Sequence, residues 1–312
     1  MRTSFWLSYR LRLAGIVMPV VFAAGCTHGS STAPSDVSQV AGVCPAPVTA
    51  QSPSGQPVTI TFGDPQVSGA TQPVTTACAP PSGTAFPVGT TAVACTVTDA
   101  RQRSASCSFT VRVIGPPRLS TTTILAFGDS ITFGTSPPDP PDSYPTRLQA
   151  KLTSRYSTQK IVVINDGKPG ENAQAGALTR EQVALDLYKP GAILLMEGSN
   201  DILGGAAGAA AGLAALTDMV RAARARGVAV FLATIPPQAP PRTGVAQAIP
   251  AFDDGVKAIA QREGVMLVDI FAAMGGDGRY IGRDGEHPTA DGFEVMAQTF
   301  FAAIQQKLEL PD

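Results

Sequence analysis

Four short segments of this chain concentrate residue types that carry out nucleophilic chemistry. They are Phe127-Gly128-Asp129-Ser130-Ile131-Thr132-Phe133-Gly134, Asn165-Asp166-Gly167-Lys168-Pro169-Gly170-Glu171-Asn172, Glu197-Gly198-Ser199-Asn200-Asp201 and Arg283-Asp284-Gly285-Glu286-His287-Pro288. A serine hydroxyl is a poor nucleophile at its own pKa and needs a base within reach. Of the two histidines, His28 and His287, only His287 belongs to this set, and imidazole is the side chain that titrates ordinarily near neutrality. Asp284, three residues earlier, can hold the ring in one tautomer and stabilise the imidazolium. Ser130, His287 and Asp284 are thus a candidate nucleophile, base and orienting carboxylate. Taken singly, each has a plainer reading. Ser130 would cap a helix, Asp284 and Gly170 would mark turns, Asn200 would form an Asx-turn and His287 would be a surface histidine. Their joint occurrence is what points to chemistry. Asp129, Asp201, Gly128, Gly167 and Gly198 read instead as residues that hold the loops together.

These loops need a scaffold that brings them to one edge. Five continuous apolar runs, Ile124–Phe127, Ile161–Ile164, Ala192–Met196, Val228–Ile235 and Val265–Ile270, recur at the spacing of βα units. Runs apolar on both faces are strands of a parallel sheet covered by helices. Helical patterns fill the intervals at Tyr144–Arg155, Ala173–Tyr188, Gly212–Arg226 and Val245–Arg262. A last helix carries Phe293, Met296, Ala297, Phe300, Ile304 and Leu308 at helical spacing. Residues 123–312 therefore read as a doubly wound α/β domain with a site at the carboxyl ends of its strands. A flavodoxin-like strand order, 2-1-3-4-5, would make the first three loops neighbours. Other catalytic signatures are missing: no Gly-x-Ser-x-Gly elbow, no Walker motif, and no calcium loop. Gly204-Gly205-Ala206-Ala207-Gly208 reads as small-residue low complexity.

With its blocks Gly128-Asp129-Ser130, Gly170, Gly198-x-Asn200-Asp201 and Asp284-x-x-His287 in order, this domain resembles the SGNH hydrolases, the GDSL lipase/esterase family. The resemblance implies a flavodoxin-like five-stranded parallel sheet and cleavage of carboxylic esters through an acyl-enzyme on Ser130, with no metal or cofactor. It assigns the oxyanion to the backbone N–H groups of Ser130 and Gly170 and to the side-chain amide of Asn200. A glycine at 170 suits a backbone donor that substrate approaches closely. The loops best placed to shape the substrate, Thr135–Ser143 and Pro236–Thr243, are rich in proline and poor in large apolar residues. That composition favours short acyl groups, such as acetyl on a carbohydrate, over long chains. Two alternatives stand beside this reading: a long-chain lipase or lysophospholipase, and a surface adhesion lipoprotein with a vestigial hydrolase domain.

The 312 residues carry a net charge of −1, which leaves no basic footprint for nucleic acid, and two histidines exclude a His-rich metal centre. All five cysteines, Cys26, Cys44, Cys78, Cys95 and Cys107, fall in the first part of the chain. Arg2, Arg10 and Arg12 precede a short apolar stretch, Leu13 to Ala24, well under the ~20 residues that span a bilayer. Residues 1–25 are therefore expected to be a signal peptide. Ala23-Ala24-Gly25-Cys26 resembles the lipobox of bacterial lipoproteins, which implies lipidation of Cys26 and anchoring at an outer membrane or cell surface. Ordinary cleavage nearby would leave Cys26 a free thiol in a soluble exported protein. Residues 26–43 read as a flexible tether containing His28. Residues 44–115, with short alternating strands, read as a small antiparallel sandwich that four cysteines staple in an oxidising compartment. Of three possible pairings, adjacency of first and last strands favours Cys44–Cys107 with Cys78–Cys95. The run Phe86-Pro87-Val88-Gly89-Thr90-Thr91 and the strands after it resemble the hyalin-repeat module, which implies an immunoglobulin-like spacer or adhesion unit. Gly115-Pro116-Pro117-Arg118 ends that module, and residues 116–122 are expected to be a linker.

Overall fold

The structure, a computed structural model, describes residues 39–134, 143–275 and 278–311. The expected signal peptide, Cys26, His28, most of the tether and the loop 135–142 lie outside the described residues.

Eight strands build the first unit: β1 (Ala41–Val43), β2 (Val48–Gln51), β3 (Val58–Ile60), β4 (Gln66–Ser68), β5 (Val74–Ala79), β6 (Thr84–Phe86), β7 (Gly89–Asp99) and β8 (Ser104–Ile114). A four-stranded sheet runs β2-β8-β7-β5, with two-stranded pairs β3-β6 and β1-β4. The alternation in β8 buries Phe109, Val111 and Val113 while Ser108, Thr110 and Arg112 face out. Phe62 meets the Phe109 ring edge-on at 4.9 Å, closing a small core around Ile60, Phe86 and Val93. Disulfides join Cys44 to Cys107 and Cys78 to Cys95. Two expectations need correction. The module starts before Cys44, because Ala41–Val43 is a strand paired with β4 rather than tether. The sheet is not wholly antiparallel either: β2 runs parallel to β8, since these two strands are joined by the whole module and not by a hairpin.

The second unit has a five-stranded, all-parallel sheet in the order β10-β9-β11-β12-β13, the flavodoxin-like order. Its strands are β9 (Thr123–Gly128), β10 (Val162–Gly167), β11 (Ala192–Met196), β12 (Ala229–Ala233) and β13 (Met266–Val268). Helices α1 (Ser130–Phe133), α2 (Tyr144–Arg155), α3 (Leu178–Tyr188), α4 (Gly205–Ala225), α5 (Thr243–Ala246), α6 (Ile249–Glu263), α7 (Ile270–Ala273) and α8 (Ala290–Leu308) cover it. The central strand β11 is fully buried, and Phe127, Phe231, Phe293 and Phe300 fill the layers on either side.

Several boundaries differ from the periodicity, each for a local reason. The expected helix 245–262 is broken between α5 and α6, because Pro250 fits only a first helical turn. The run 265–270 ends early as a strand: Asp269 caps α7, its Oδ1 accepting from the Ala272 N–H at 3.1 Å. The expected helix 173–188 is kinked at Ala175 and Gly176, so regular α3 begins only at Leu178. Residues 118–120 are not a free linker. Leu119 is buried in the second core, the Ser120 N–H donates to the Leu308 carbonyl and the Leu310 N–H to that of Arg118. The Gly/Ala tract of low complexity is the start of α4, and its composition has a packing cause. A Cβ at Gly208 would lie 2.2 Å from the Asp201 carbonyl oxygen, and one at Gly212 2.9 Å from the Asp201 Cβ. Small residues let this helix lie directly against the turn that follows β11.

Glu181 on α3 is fully buried, and neither carboxyl oxygen has a hydrogen-bond partner among the described residues. Burial pushes this carboxyl up to about 8, although Arg226 opposes the rise. Between the ordinary value of 4.5 and about 8 the folded chain keeps a proton that the unfolded chain releases. Stability therefore falls as pH rises through that window. Glu181→Leu is expected to raise the unfolding midpoint of the α/β domain at pH 8 by ~2–4 °C or more, about 1 kcal/mol. Calorimetry at pH 5 and pH 8 checks both the gain and a flatter pH dependence.

Candidate active site

Strand register brings three of the four loops to one level. Gly128, the last residue of β9, lies opposite Gly167 of β10 and Met196 of β11. Asp129 then caps the short helix α1, its Oδ1 accepting from the Ile131 N–H at 2.9 Å, which sets Ser130 at the first helical position. Gly134 closes that helix in the left-handed region.

The fourth loop comes from before α8, whose N-cap is Thr289. It is pinned at its base, where Gly282 N–H donates to the His287 carbonyl at 2.7 Å and Thr289 N–H to the Tyr280 carbonyl at 2.8 Å. Within it, Asp284 Oδ1 accepts from the backbone N–H groups of Glu286 (3.0 Å) and His287 (3.1 Å). Asp284 Oδ2 lies 2.6 Å from His287 Nδ1, and His287 Nε2 lies 2.8 Å from Ser130 Oγ. A carboxylate accepts only, so the ring proton is on Nδ1 and Nε2 is free to accept from the serine hydroxyl. Burial would raise the Asp284 carboxyl, but the Glu286 N–H, the imidazole and the His287 N–H outweigh it and hold it below the usual carboxylate range. The turn role and the orienting role proposed separately for Asp284 are thus filled by its two oxygens.

The groups that the resemblance assigns to an oxyanion lie on the Ser130 loop and the two neighbouring ones. Gly170 has φ +74° and is exposed, and nothing lies within 4 Å of where its Cβ would be. The backbone N–H groups of Ser130 and Gly170 have no hydrogen-bond partner among the described residues. Asn200 Nδ2 donates to the Glu171 carbonyl at 2.8 Å and approaches Asp129 Oδ2 at 3.4 Å. Asp201 ties the second and third loops together by accepting from Ala173 N–H (2.8 Å) and Gln174 N–H (3.2 Å). Burial pushes the Asp129 carboxyl up to about 7; Ile131 N–H and His287 oppose this, while Glu286 and Asp201 reinforce it.

Two groups of residues around this site carry no local sequence signal. Arg180 of α3 stacks over the Phe127 ring at 3.7 Å and donates to Glu171 Oε2 (2.6 Å), the Asp166 carbonyl (2.8 Å) and the Gly128 carbonyl (3.2 Å). It thereby braces the residues flanking Ser130 and Gly170 from beneath. Ser199, Gln238, Arg242 and Glu286 form a second buried group between the third and fourth loops. Both depend on contacts between residues far apart in the chain. Among the described residues no group of three or more His, Cys, Asp or Glu side chains is gathered as a metal-ligand set.

The family model for GDSL-like lipases and acylhydrolases matches residues 126–295, more than half of the chain, and an HYR domain matches residues 39–113. Among curated proteins none matches. The solved structure of TesA is 29% identical with a TM-score of 0.51, covering 59% of this chain and 98% of its own. Axe2, an acetylxylan esterase from Geobacillus stearothermophilus, is 22% identical with a TM-score of 0.50, covering 59% of this chain and 94% of its own. LAE5, an α/β hydrolase enzyme from the metagenome of Lake Arreo, Spain, has the same identity, coverage and TM-score. The last two are alike in fold. With an HYR domain ahead of a parallel five-stranded sheet that carries the four ordered blocks, this chain belongs to the GDSL-like lipase/acylhydrolase family and is a serine ester hydrolase.

Proposed function

We propose that this protein is an exported esterase that removes short acyl groups, such as O-acetyl groups on carbohydrate, through an acyl-enzyme on Ser130. The observation that carries the mechanism is the continuous hydrogen-bonded line Ser130 Oγ–His287 Nε2, His287 Nδ1–Asp284 Oδ2. As Ser130 Oγ adds to the ester carbonyl carbon, its proton passes to His287 Nε2, and the Asp284 carboxylate stabilises the imidazolium. The carbonyl oxygen takes the negative charge and accepts from the N–H groups of Ser130 and Gly170 and from Asn200 Nδ2. Collapse breaks the bond to the alcohol oxygen, which leaves with the proton from His287. Water then repeats the sequence on the acyl-serine, releasing the acid and restoring the hydroxyl. Asn200 serves this role by keeping its bond to the Glu171 carbonyl and turning its second Nδ2 hydrogen from the long 3.4 Å contact with Asp129 Oδ2 to the oxyanion.

The short-acyl preference is supported by the loop 236–243, which supplies four prolines and no large apolar side chain. Attachment to a membrane through a lipid on Cys26 is the proposed arrangement at the N-terminus, with the tether and the HYR module holding the hydrolase away from the surface.

Ser130→Ala is expected to abolish hydrolysis of p-nitrophenyl acetate; full retention of activity would refute the mechanism. Asn200→Ala should lower kcat by ~10²–10³ with KM little changed, as removal of one oxyanion donor does. Across p-nitrophenyl esters from acetate to palmitate, kcat/KM should peak at the short end, whereas a peak at long chains would favour a lipase. Cys26→Ala should move the protein from the membrane fraction to the soluble one.

A further inference from the structure

Glu286 stands between Asp284 and His287, yet its side chain turns away from both and into the protein. Its Oε1 accepts from the Ser199 hydroxyl at 2.8 Å and its Oε2 from Arg242 Nη1 at 2.6 Å. Gln238 closes the ring: its Nε2 donates to Ser199 Oγ at 3.1 Å, and its Oε1 accepts from Arg242 Nε at 3.1 Å. Ser199 is fully buried, and Glu286 and Gln238 nearly so. Ser199 precedes Asn200, and Gln238 and Arg242 lie on the proline-rich loop after β12, which adds a backbone bond from Ala239 N–H to the Gly285 carbonyl at 2.9 Å.

A largely buried ion pair of this kind, with Arg242 still partly exposed, is a poor way to gain stability, because desolvation of the charges offsets much of their attraction. What it supplies is a fixed geometry: four side chains, each hydrogen-bonded to two others, favour one arrangement of the three loops that carry them, although Arg242 Nη2 is left without a partner among the described residues. We infer that Glu286, Arg242, Gln238 and Ser199 are positioning residues that set the distance between the base on the fourth loop and the oxyanion donor on the third. The proline-rich loop therefore acts as a brace for His287 as well as a wall for substrate. This inference rests on the roles proposed above for His287 and Asn200.

Because neither Ser199 nor Glu286 touches the reacting atoms or lies on the proline-rich loop, their loss should lower kcat without changing substrate affinity. Ser199→Ala and Glu286→Gln are each expected to reduce kcat for p-nitrophenyl acetate ~10–100-fold with KM within about twofold. The rate of Ser130 labelling by a fluorophosphonate should fall in parallel. The double variant should lose little more than the worse single one, as for residues that act as one unit. Arg242→Lys should recover part of the activity lost in Arg242→Gln, because the lysine restores a cation beside Glu286. Single variants within threefold of wild type, a rise in KM with unchanged kcat, or losses that multiply in the double variant would overturn the inference. Circular dichroism and a thermal melt establish folding of each variant; if Arg242→Gln does not fold, Ser199→Ala, which removes one oxygen, decides the matter. Wild type that neither hydrolyses the ester nor labels at Ser130 would instead count against the proposed mechanism itself.

Discussion

The 2.8 Å contact between Ser130 Oγ and His287 Nε2 joins residues 157 positions apart, and it depends on nearly every element of the α/β domain. Ser130 is held just past the end of β9, an interior strand of the sheet, where Asp129 turns the chain into α1. His287 arrives from the opposite end of the domain on a loop anchored at Gly282, Tyr280 and Thr289. A shift of about 1 Å at either end would break a hydrogen bond that the chemistry requires. Rigid, buried strands under one end and a cross-braced loop at the other are the means by which the fold meets that tolerance.

Charges buried around the site serve the same constraint. Asp129 accepts the Ile131 N–H of its own loop, Asp201 accepts backbone N–H groups of the neighbouring second loop, Arg180 spans the carbonyls of Gly128 and Asp166, and Glu286 is clasped by Ser199 and Arg242. Buried carboxyls are costly unless hydrogen-bonded, so their concentration beneath the loops marks the place where position matters more than stability. The HYR module solves a different problem. Its core is small, and its two disulfides compensate for the apolar area that so short a unit can bury. The α/β domain, with a larger core, has no cysteine at all.

Much of this arrangement was legible in the sequence because its signals are local. Apolar runs of strand length marked all five strands of the parallel sheet, and the polar residues just after them marked the site. Ser130, Asp284 and His287 could be placed by residue type beside a strand or helix end, whereas the roles of Gly170 and Asn200 follow from the resemblance carried by the four ordered blocks. Both disulfides join the expected cysteines, but only Cys78 and Cys95 face each other on neighbouring strands; Cys44 lies just past β1, which pairs with β4, and reaches Cys107 on β8 from outside the sheet register. The braces were not legible. Arg180 sits in an ordinary helical pattern, and Glu286 reads as one more polar residue in a turn; Glu286 is held by partners 44 and 87 residues away, and Arg180 reaches the Gly128 carbonyl 52 residues back. The Gly/Ala tract before Leu213 looked featureless for a related reason. Its small residues answer to the backbone of Asp201, which periodicity within α4 cannot reveal.

In the proposed mechanism Ser130 is the nucleophile and His287 activates it. Peptide mapping by mass spectrometry after brief exposure to a fluorophosphonate, on wild type and His287→Ala side by side, tests it most directly. A single adduct on the peptide bearing Ser130 is expected in wild type, with labelling slowed at least ~10³-fold in the variant. An adduct on another residue, or equal labelling in the two proteins, would contradict it.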